Sequence, residues 1–492
     1  MFRQNTLTLL LAFLVAATGL TGCAGDATET QNVEGMSLLT AISLGSMKRA
    51  VYFKTDDGRD TTAYMTVTSS LYPLTIDQVG HRVFNADSLP RHTFVDKVTL
   101  STLNAQGTAT VKSLATGTDT LLTPTDSLDF RQPRVLTIHG YDGTSTTSYT
   151  IDIRVHKEDG DSMRWTRTTA GAATDGFGFL YAMTAQCKGD SLLVWAMGTP
   201  EGSDDSGVYC LWTSAANPEA WHSVRTSGAS LFNDKVALHR GMLYAQSETH
   251  LIKSADGIAW TEVAPLTMAA GAQSRRMLVG ATTRSLYAYG IDEGCILRST
   301  DGGLTWTKDK VSGTLPEGIQ WESASLTRPS KSNPNMEEIF VLGESSNTPK
   351  PTLYTLSRQE MVKAEDEGVA DFQWTAYRNA EGSPYNLPDN QGYKSVLSYD
   401  GALLCISQDA GSRAYSARMS QDGGRVWSAG TVTLPELNAQ TDFIATVDAR
   451  NFIWLIGHDC KTLWRGRLNR LGWSPEQQVF YNTRRQGKTI GD

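Results

Sequence analysis

The clearest hydrophobic pattern in the chain has a period of two. Tyr149, Ile151, Ile153 and Val155 alternate with Thr150, Asp152, Arg154 and His156. Such a run is an extended segment with one buried face and one wet face. The apolar run Arg134–Tyr141 (RVLTIHGY) precedes it, and Asp142-Gly143 at the joint predicts a hairpin. Upstream, Val98–Leu103 and Thr108–Leu114 flank Gln106-Gly107 and predict a second hairpin, and Asn85–Pro90 reads as a connection between strands. One apolar run breaks the pattern. It extends from Leu7 to about Leu20 behind the lone charge of Arg3, and its 14 residues would span only about 21 Å as a helix, against ~30 Å of hydrocarbon. That length predicts a signal peptide and not a membrane-spanning helix.

Tryptophan divides the rest. All 12 lie between Trp165 and Trp473, and the shift coincides with the charged, turn-forming KEDGDSM at 157–163. Beyond it a short motif recurs: Ser254-Ala-Asp256-Gly257-Ile-Ala-Trp260, Ser299-Thr-Asp301-Gly302-Gly303-Leu-Thr305-Trp306 and Ser420-Gln-Asp422-Gly423-Gly424-Arg-Val-Trp427. Each copy follows a strand-like run and ends in a Trp that opens another. Ser and Asp oxygens can accept hydrogen bonds from nearby backbone N–H groups, Gly permits φ > 0, and Trp supplies an apolar wedge. These residues suit a turn between strands.

The motif resembles the Asp-box, or bacterial neuraminidase repeat, most closely at 299–306. The resemblance implies a β-propeller with each box between the third and fourth strands of a blade, so Ser254, Asp256, Gly257, Trp260, Ser299, Asp301, Gly303, Trp306, Ser420, Asp422, Gly424 and Trp427 are expected to be structural. Degenerate copies end at Trp221, Trp374 and Trp473. Taking these with Trp165 as blade markers gives gaps of 56, 39, 46, 68, 53 and 46 residues, which suit four-stranded blades. Six gaps predict six blades, with a seventh built from both termini as the alternative. The segments before Trp165 and at the C-terminus are expected to share the closing blade.

The apolar N-terminal run ends in Leu20-Thr21-Gly22-Cys23, which resembles the bacterial lipobox. The resemblance implies cleavage before Cys23, lipidation of Cys23 and, with Ala24 following, attachment to the outer membrane, at either its periplasmic face or the cell surface. The expected organisation is a signal peptide at 1–22, a polar tether at 23–35, a β-sandwich at 36–157 and a propeller at 160–492. Through its closing hairpin the sandwich is similar to cadherin-like, immunoglobulin-type modules, which implies a spacer. The fold class is thus all-β, an immunoglobulin-like sandwich followed by a propeller. As a whole the chain resembles a family of Gram-negative outer-membrane lipoproteins.

Composition narrows the function. The chain has 492 residues, with 44 Lys and Arg against 52 Asp and Glu, a net charge of −8. No basic face is evident, which argues against nucleic acid as a partner. Six cysteines are too few for a disulfide scaffold. Cys187, Cys210, Cys295, Cys405 and Cys460 read mainly as small buried hydrophobes, with one disulfide as the alternative.

Sialidases carry an Arg-Ile-Pro-type motif where the propeller begins; here Arg164 and Arg167 occur without it. Thr327-Arg328-Pro329 lies mid-domain and Arg131-Gln-Pro133 in the other half. A propeller glycosidase would need two facing carboxylates, and Asp204, Asp205, Glu293 and Glu367 have no spacing that pairs them. No metal or phosphate motif appears, so no cofactor or metal is expected. Trp195, Trp212, Trp321, Trp454 and Trp464, together with Tyr181, Tyr244, Tyr287 and Tyr354, are expected in the core, with a ligand contact as the alternative for the tryptophans. The sequence therefore favours a non-catalytic, membrane-anchored protein that binds a glycan or an envelope protein. A glycoside hydrolase is the rival.

Overall fold

The computed structural model describes residues 36–478 apart from 56, 232–234, 267–275, 316–318, 321–324, 346–351, 364–371, 379–382, 388–390, 439 and 476–477. Cys23 and the segments 1–22 and 23–35 lie outside the described residues, as do Trp321 and Glu367. The chain is nearly all β and divides into two compact units between Lys157 and Glu158.

The first unit contains a six-stranded sheet in the order Leu74–Asp77, Arg82–Asn85, Thr146–Asp152, Arg134–His139, Thr108–Lys112, Asp119–Leu121. Two smaller sheets pair Leu39–Leu44 with Leu100–Ala105 and Met47–Lys54 with Asp60–Val67. The alternating run behaves as its pattern dictates: Tyr149, Ile151 and Ile153 are buried beside Leu39, Val83, Leu136 and Ile138. The hairpin at Asp142 forms, its carboxylate accepting the backbone N–H groups of Thr144 and Ser145.

The second hairpin does not form. Leu100–Ala105 pairs with Leu39–Leu44, and Thr108–Lys112 pairs with Arg134–His139. At Gly107 (φ 143°) the backbone passes so close to the His139 carbonyl that a Cβ would collide with it. The chain thereby crosses from one sheet to another, and Leu100, Ala109 and Val111 all reach one core.

The second unit is a β-propeller of six sheets among the described residues. Its innermost strands are Phe177–Lys188, Ala237–His239, Arg276–Ala281, Ser325–Pro329, Gln391–Tyr399 and Phe443–Val447, and blades one to six are numbered from them. Each blade continues outward as an antiparallel meander. Blade five has three strands, to which Ser428 adds a bridge at Met419.

Blade six is closed from the other end of the unit. Its outermost strand is Met163–Thr168, which pairs with Leu463–Leu468 so that Trp165 lies opposite Gly466. Trp165 therefore sits in the same blade that ends the chain. Trp473 marks no blade end, because it follows a short 3-10 turn after the third strand of blade six. Two of the seven markers thus fall at one closure, which leaves six blades.

Arg470 in that turn locks the closure. It is fully buried, yet its guanidinium pairs with Asp400 at the first turn of blade five (Nη1 to Oδ1 2.6 Å) and with Asp161 before the closing strand (Nε to Oδ1 3.0 Å). Backbone bonds from Arg470 to Gly160 and from Asn469 to Ser162 fix the same two segments. Removing the cation leaves the largely buried Asp400 carboxylate without this counter-charge, a change that typically costs about 3 kcal/mol or more. Arg470→Ala is expected to destabilise the propeller by about that amount. Urea unfolding followed by tryptophan fluorescence measures it, because every tryptophan lies in this unit.

Candidate functional site

The three Ser–Asp–Gly–Trp segments form the same turn. Ser254, Ser299 and Ser420 are buried; each Oγ donates to the following Asp Oδ1 (2.9, 2.8 and 2.8 Å) and accepts from the N–H of Gly257, Gly303 or Gly424 (each 2.8 Å). The same Asp oxygen accepts two further backbone N–H groups, from residues 258 and 259, 304 and 305, or 425 and 426. The Trp indole N–H closes back on the Gly carbonyl at 3.0–3.1 Å. Side chains thus satisfy the turn's backbone donors, and Gly supplies the left-handed φ (81°, 93° and 89°).

Each turn also presses on the preceding blade. Trp195 of blade one donates to the Gly257 carbonyl at 2.8 Å and meets Trp260 edge to face. Gly303 packs on Leu251 of blade two, and Gly424 on Thr355 of blade four, so closely that a Cβ would collide. All twelve motif residues are accounted for by these contacts within and between blades.

Blades one, four and six lack the motif; Arg470 holds the junction of blade six, and in blades one and four different chemistry fills the same position. Trp221 of blade one meets Trp454 of blade six edge to face at 5.8 Å. At the end of the third strand of blade four, Glu360 is buried and accepts from Ser285 (2.8 Å), Thr282 and Arg298 of blade three. Arg358 reaches Asp309 at 2.8 Å, and Asp309 also takes the Trp374 indole N–H at 2.9 Å. Burial alone would raise the Glu360 pKa, but the Thr282 bond, the Arg298 charge, the Ser285 bond and the Arg358 charge bring it below the ordinary value. Sequence spacing could not have revealed this cluster, since its members span 282–374 without a motif.

The inner strands of all six blades enclose an axial cavity of about 480 Å³. Its lining sets the hydroxyls of Thr184, Thr283, Ser325, Thr327 and Ser395 and the amide of Gln186 among apolar side chains such as Leu278, Leu326 and Ile444. Several hydroxyls bond the neighbouring inner strand, as Thr327 does to Ala281 O (2.6 Å) and Ser325 to Val279 O (2.5 Å). Beside the first turns of blades two and three, Glu337 accepts the Thr283 N–H and hydroxyl (2.6 and 2.7 Å). Arg240 donates to the carbonyls of Thr283 and Arg284 (3.2 and 3.3 Å). Glu337 is the one carboxylate among the described lining residues.

None of Asp204, Asp205 and Glu293 lines this cavity; Asp205 pairs with Arg225, and Glu293 lies 3.9 Å from Arg276. Arg164 pairs with Glu158, and Arg131 with Asp129, whereas Thr327 lines the cavity. Trp195, Trp454, Tyr244 and Tyr287 are buried, while Trp212, Trp464 and Tyr354 are half-buried. Tyr181 departs from its expected place in the core. It is 46% exposed and stacks on His458 (centroids 4.5 Å, planes 12° apart), near the exposed Phe179. The reason is its register, because Leu180 and Ala182 take the inward positions of the strand.

All five described cysteines are free, and burial pushes the thiols of Cys187, Cys210, Cys405 and Cys460 up to about 12. Thiols so shifted are poor nucleophiles. Among the described residues no three His, Cys, Asp or Glu side chains converge as metal ligands.

Residues 159–476, more than half of the chain, match the DUF6242 beta propeller domain, and residues 42–153 match the DUF6242 N-terminal domain, a domain of unknown function. The chain belongs to the DUF6242 family. No curated protein matches the DUF6242 chain. Solved structures similar to it include the GH74 xyloglucanase from Xanthomonas campestris, 16% identical, with a TM-score of 0.33 over 63% of this chain and 47% of that one. The DUF6242 chain therefore spans about half the length of that enzyme. Another is a neuraminidase-like protein from A/bat/Guatemala/164/2009, 13% identical, with a TM-score of 0.36 over 62% of this chain and 94% of that one.

The turn geometry of the DUF6242 propeller sets a pH-dependent expectation. Hydrogen bonds from the Thr305 side chain and backbone hold Asp301 at about 2, below its ordinary 3.8. A depressed carboxylate stabilises the fold above its ordinary pKa and loses that effect as pH falls through the lowered one. Asp301→Ala is expected to cost about 1 kcal/mol at pH 7, and the two proteins should converge in stability between pH 4 and pH 2. Urea midpoints across that range measure the convergence.

Proposed function

We propose that this DUF6242 protein is anchored to the outer membrane through lipidated Cys23 and uses its propeller to bind a glycan without cleaving it. The lining of the axial cavity carries this reading. A volume of about 480 Å³ suits a small ligand. Hydroxyls from blades one, three, four and five and the Gln186 amide line it, and a hydroxyl oxygen that already donates to a neighbouring strand still has lone pairs to accept from a polyhydroxylated molecule. Arg240 donates and Glu337 accepts at fixed positions, and a single carboxylate among the described lining residues supports binding over acid–base hydrolysis, which uses two. The Ser–Asp–Gly–Trp turns then act as structural Asp-boxes. The first unit serves as an immunoglobulin-like spacer between the membrane and the propeller.

The full mature chain, screened on a glycan array, is expected to retain a saccharide. Glu337→Gln should weaken that binding by about tenfold, the effect of losing a charged hydrogen-bond acceptor worth ~1.5 kcal/mol. Retention of the saccharide by Glu337→Gln at unchanged affinity would remove the cavity from the account. Release of reducing sugar by the unmodified chain would replace it with a glycoside hydrolase.

A further inference from the structure

A second concavity, about 410 Å³, opens between blades four and five at the end of the propeller that carries the Ser–Asp–Gly–Trp turns. One wall is the turn at 420–427, which contributes Gln421, Asp422, Gly423 and Arg425. The other comes from Arg328 and Glu338 of the two inner strands of blade four and Lys331 of the turn between them, with Gln359, Gln373 and Tyr377 farther out.

Its charges do not cancel locally. Arg328 is buried and pairs with Glu338 at 3.2 Å, so that pair is neutral. Arg358 is neutralised by Asp309, which lies outside the cleft. The Asp422 carboxylate is committed to its own turn by Ser420 and two backbone N–H groups. Lys331 and Arg425 remain, against the single charge of Asp422, which its neutral hydrogen-bond donors do not cancel. Lys331 donates to the neutral amide oxygen of Gln421 at 2.9 Å, and Arg425 donates to the Tyr377 hydroxyl at 2.6 Å while its guanidinium lies 4.5 Å from that ring's centroid. Both cations are held in place by neutral groups, and both are tied to the same turn.

We propose that this cleft binds an acidic sugar, with Lys331 and Arg425 gripping its oxyanion and the amides of Gln359, Gln373 and Gln421 meeting its hydroxyls. Two cations against one carboxylate on the walls of one concavity favour an anion. The volume exceeds what a bare inorganic oxyanion fills, and neutral amides supply both donors and acceptors for the rest of the ligand. Burial and the neighbouring Arg328 charge lower the Lys331 pKa, against the opposing charges of Asp400 and Glu338, and a bound anion would further offset the Arg328 repulsion. The oxyanion could be a carboxylate, as in a uronic acid, or a sulfate ester; the shared chemistry is a charged oxygen group on a polyol. This cleft is distinct from the axial cavity, so the inference stands independently of the proposed function.

The test is titration calorimetry of the full mature chain with trigalacturonate, a sulfated galactose trisaccharide, neutral galactotriose and polyglutamate. At least one acidic sugar should bind, with affinity falling as salt rises, and the arm that binds identifies the oxyanion. Lys331→Gln with Arg425→Gln should lower that affinity at least tenfold, and Lys331→Arg should retain it. The inference is overturned if the double glutamine variant, folded by its tryptophan fluorescence, binds as well as the original. It is also overturned if neutral galactotriose or polyglutamate binds as tightly as either acidic sugar, or if neither acidic sugar binds.

Discussion

A ring of sheets is stable only if every blade is fastened to the one before it, including the last to the first. A blade alone exposes two apolar faces, and burying them against neighbours is what makes the fold worth its conformational entropy. In this propeller the fastening occurs at one recurring place, around the end of the third strand and the return into the fourth. Trp260, Trp306 and Trp427 enter there, and their glycines press on Trp195, Leu251 and Thr355 of the preceding blade. Where the motif is missing, the junction is held by other means: Trp221 on Trp454, Glu360 among Thr282, Ser285 and Arg298, and Arg470 on Asp400.

These fasteners differ in their physics. The repeated turn is local, because Ser, Asp and Gly satisfy backbone groups within a few residues and cost little desolvation at an exposed rim. The Glu360 and Arg470 sites bury whole charges, whose desolvation is tolerable only because each is paired and hydrogen-bonded. Such sites specify one neighbour strictly. Arg470 does more than join two blades, since its bond to Asp161 also draws in the segment leading to the strand that closes the ring.

Two concavities among the described residues contrast in chemistry. The axial cavity is bounded by strands whose hydroxyls already bond neighbouring strands, with Glu337 and Arg240 held by backbone and hydroxyl partners. The cleft between blades four and five borrows a fastening turn as one wall, so the loop that joins these blades also positions Arg425 and the Gln421 that holds Lys331. Structure and ligand chemistry meet there on one segment.

The sequence by itself determined the β character of the chain, the hairpin at Asp142, the propeller and the turn at each Ser–Asp–Gly–Trp copy. Those features rest on interactions between residues close in sequence: period-two burial, Asx-type hydrogen bonds and glycines at positive φ. Tertiary structure alone decided the rest. Gly107 turned an apparent hairpin into a crossover because His139 lies against it, and Trp473 lost its place as a blade marker because the closing strand comes from residues 163–168. Tyr181 faces outward because its neighbours take the inward register. Glu360 finds Arg298 only once blades three and four pack, and Arg470 finds Asp161 only once the ring has closed. Contacts between residues tens to hundreds of positions apart leave no periodic trace along a single chain, and the cavity, the cleft and the charged junctions are all made of such contacts.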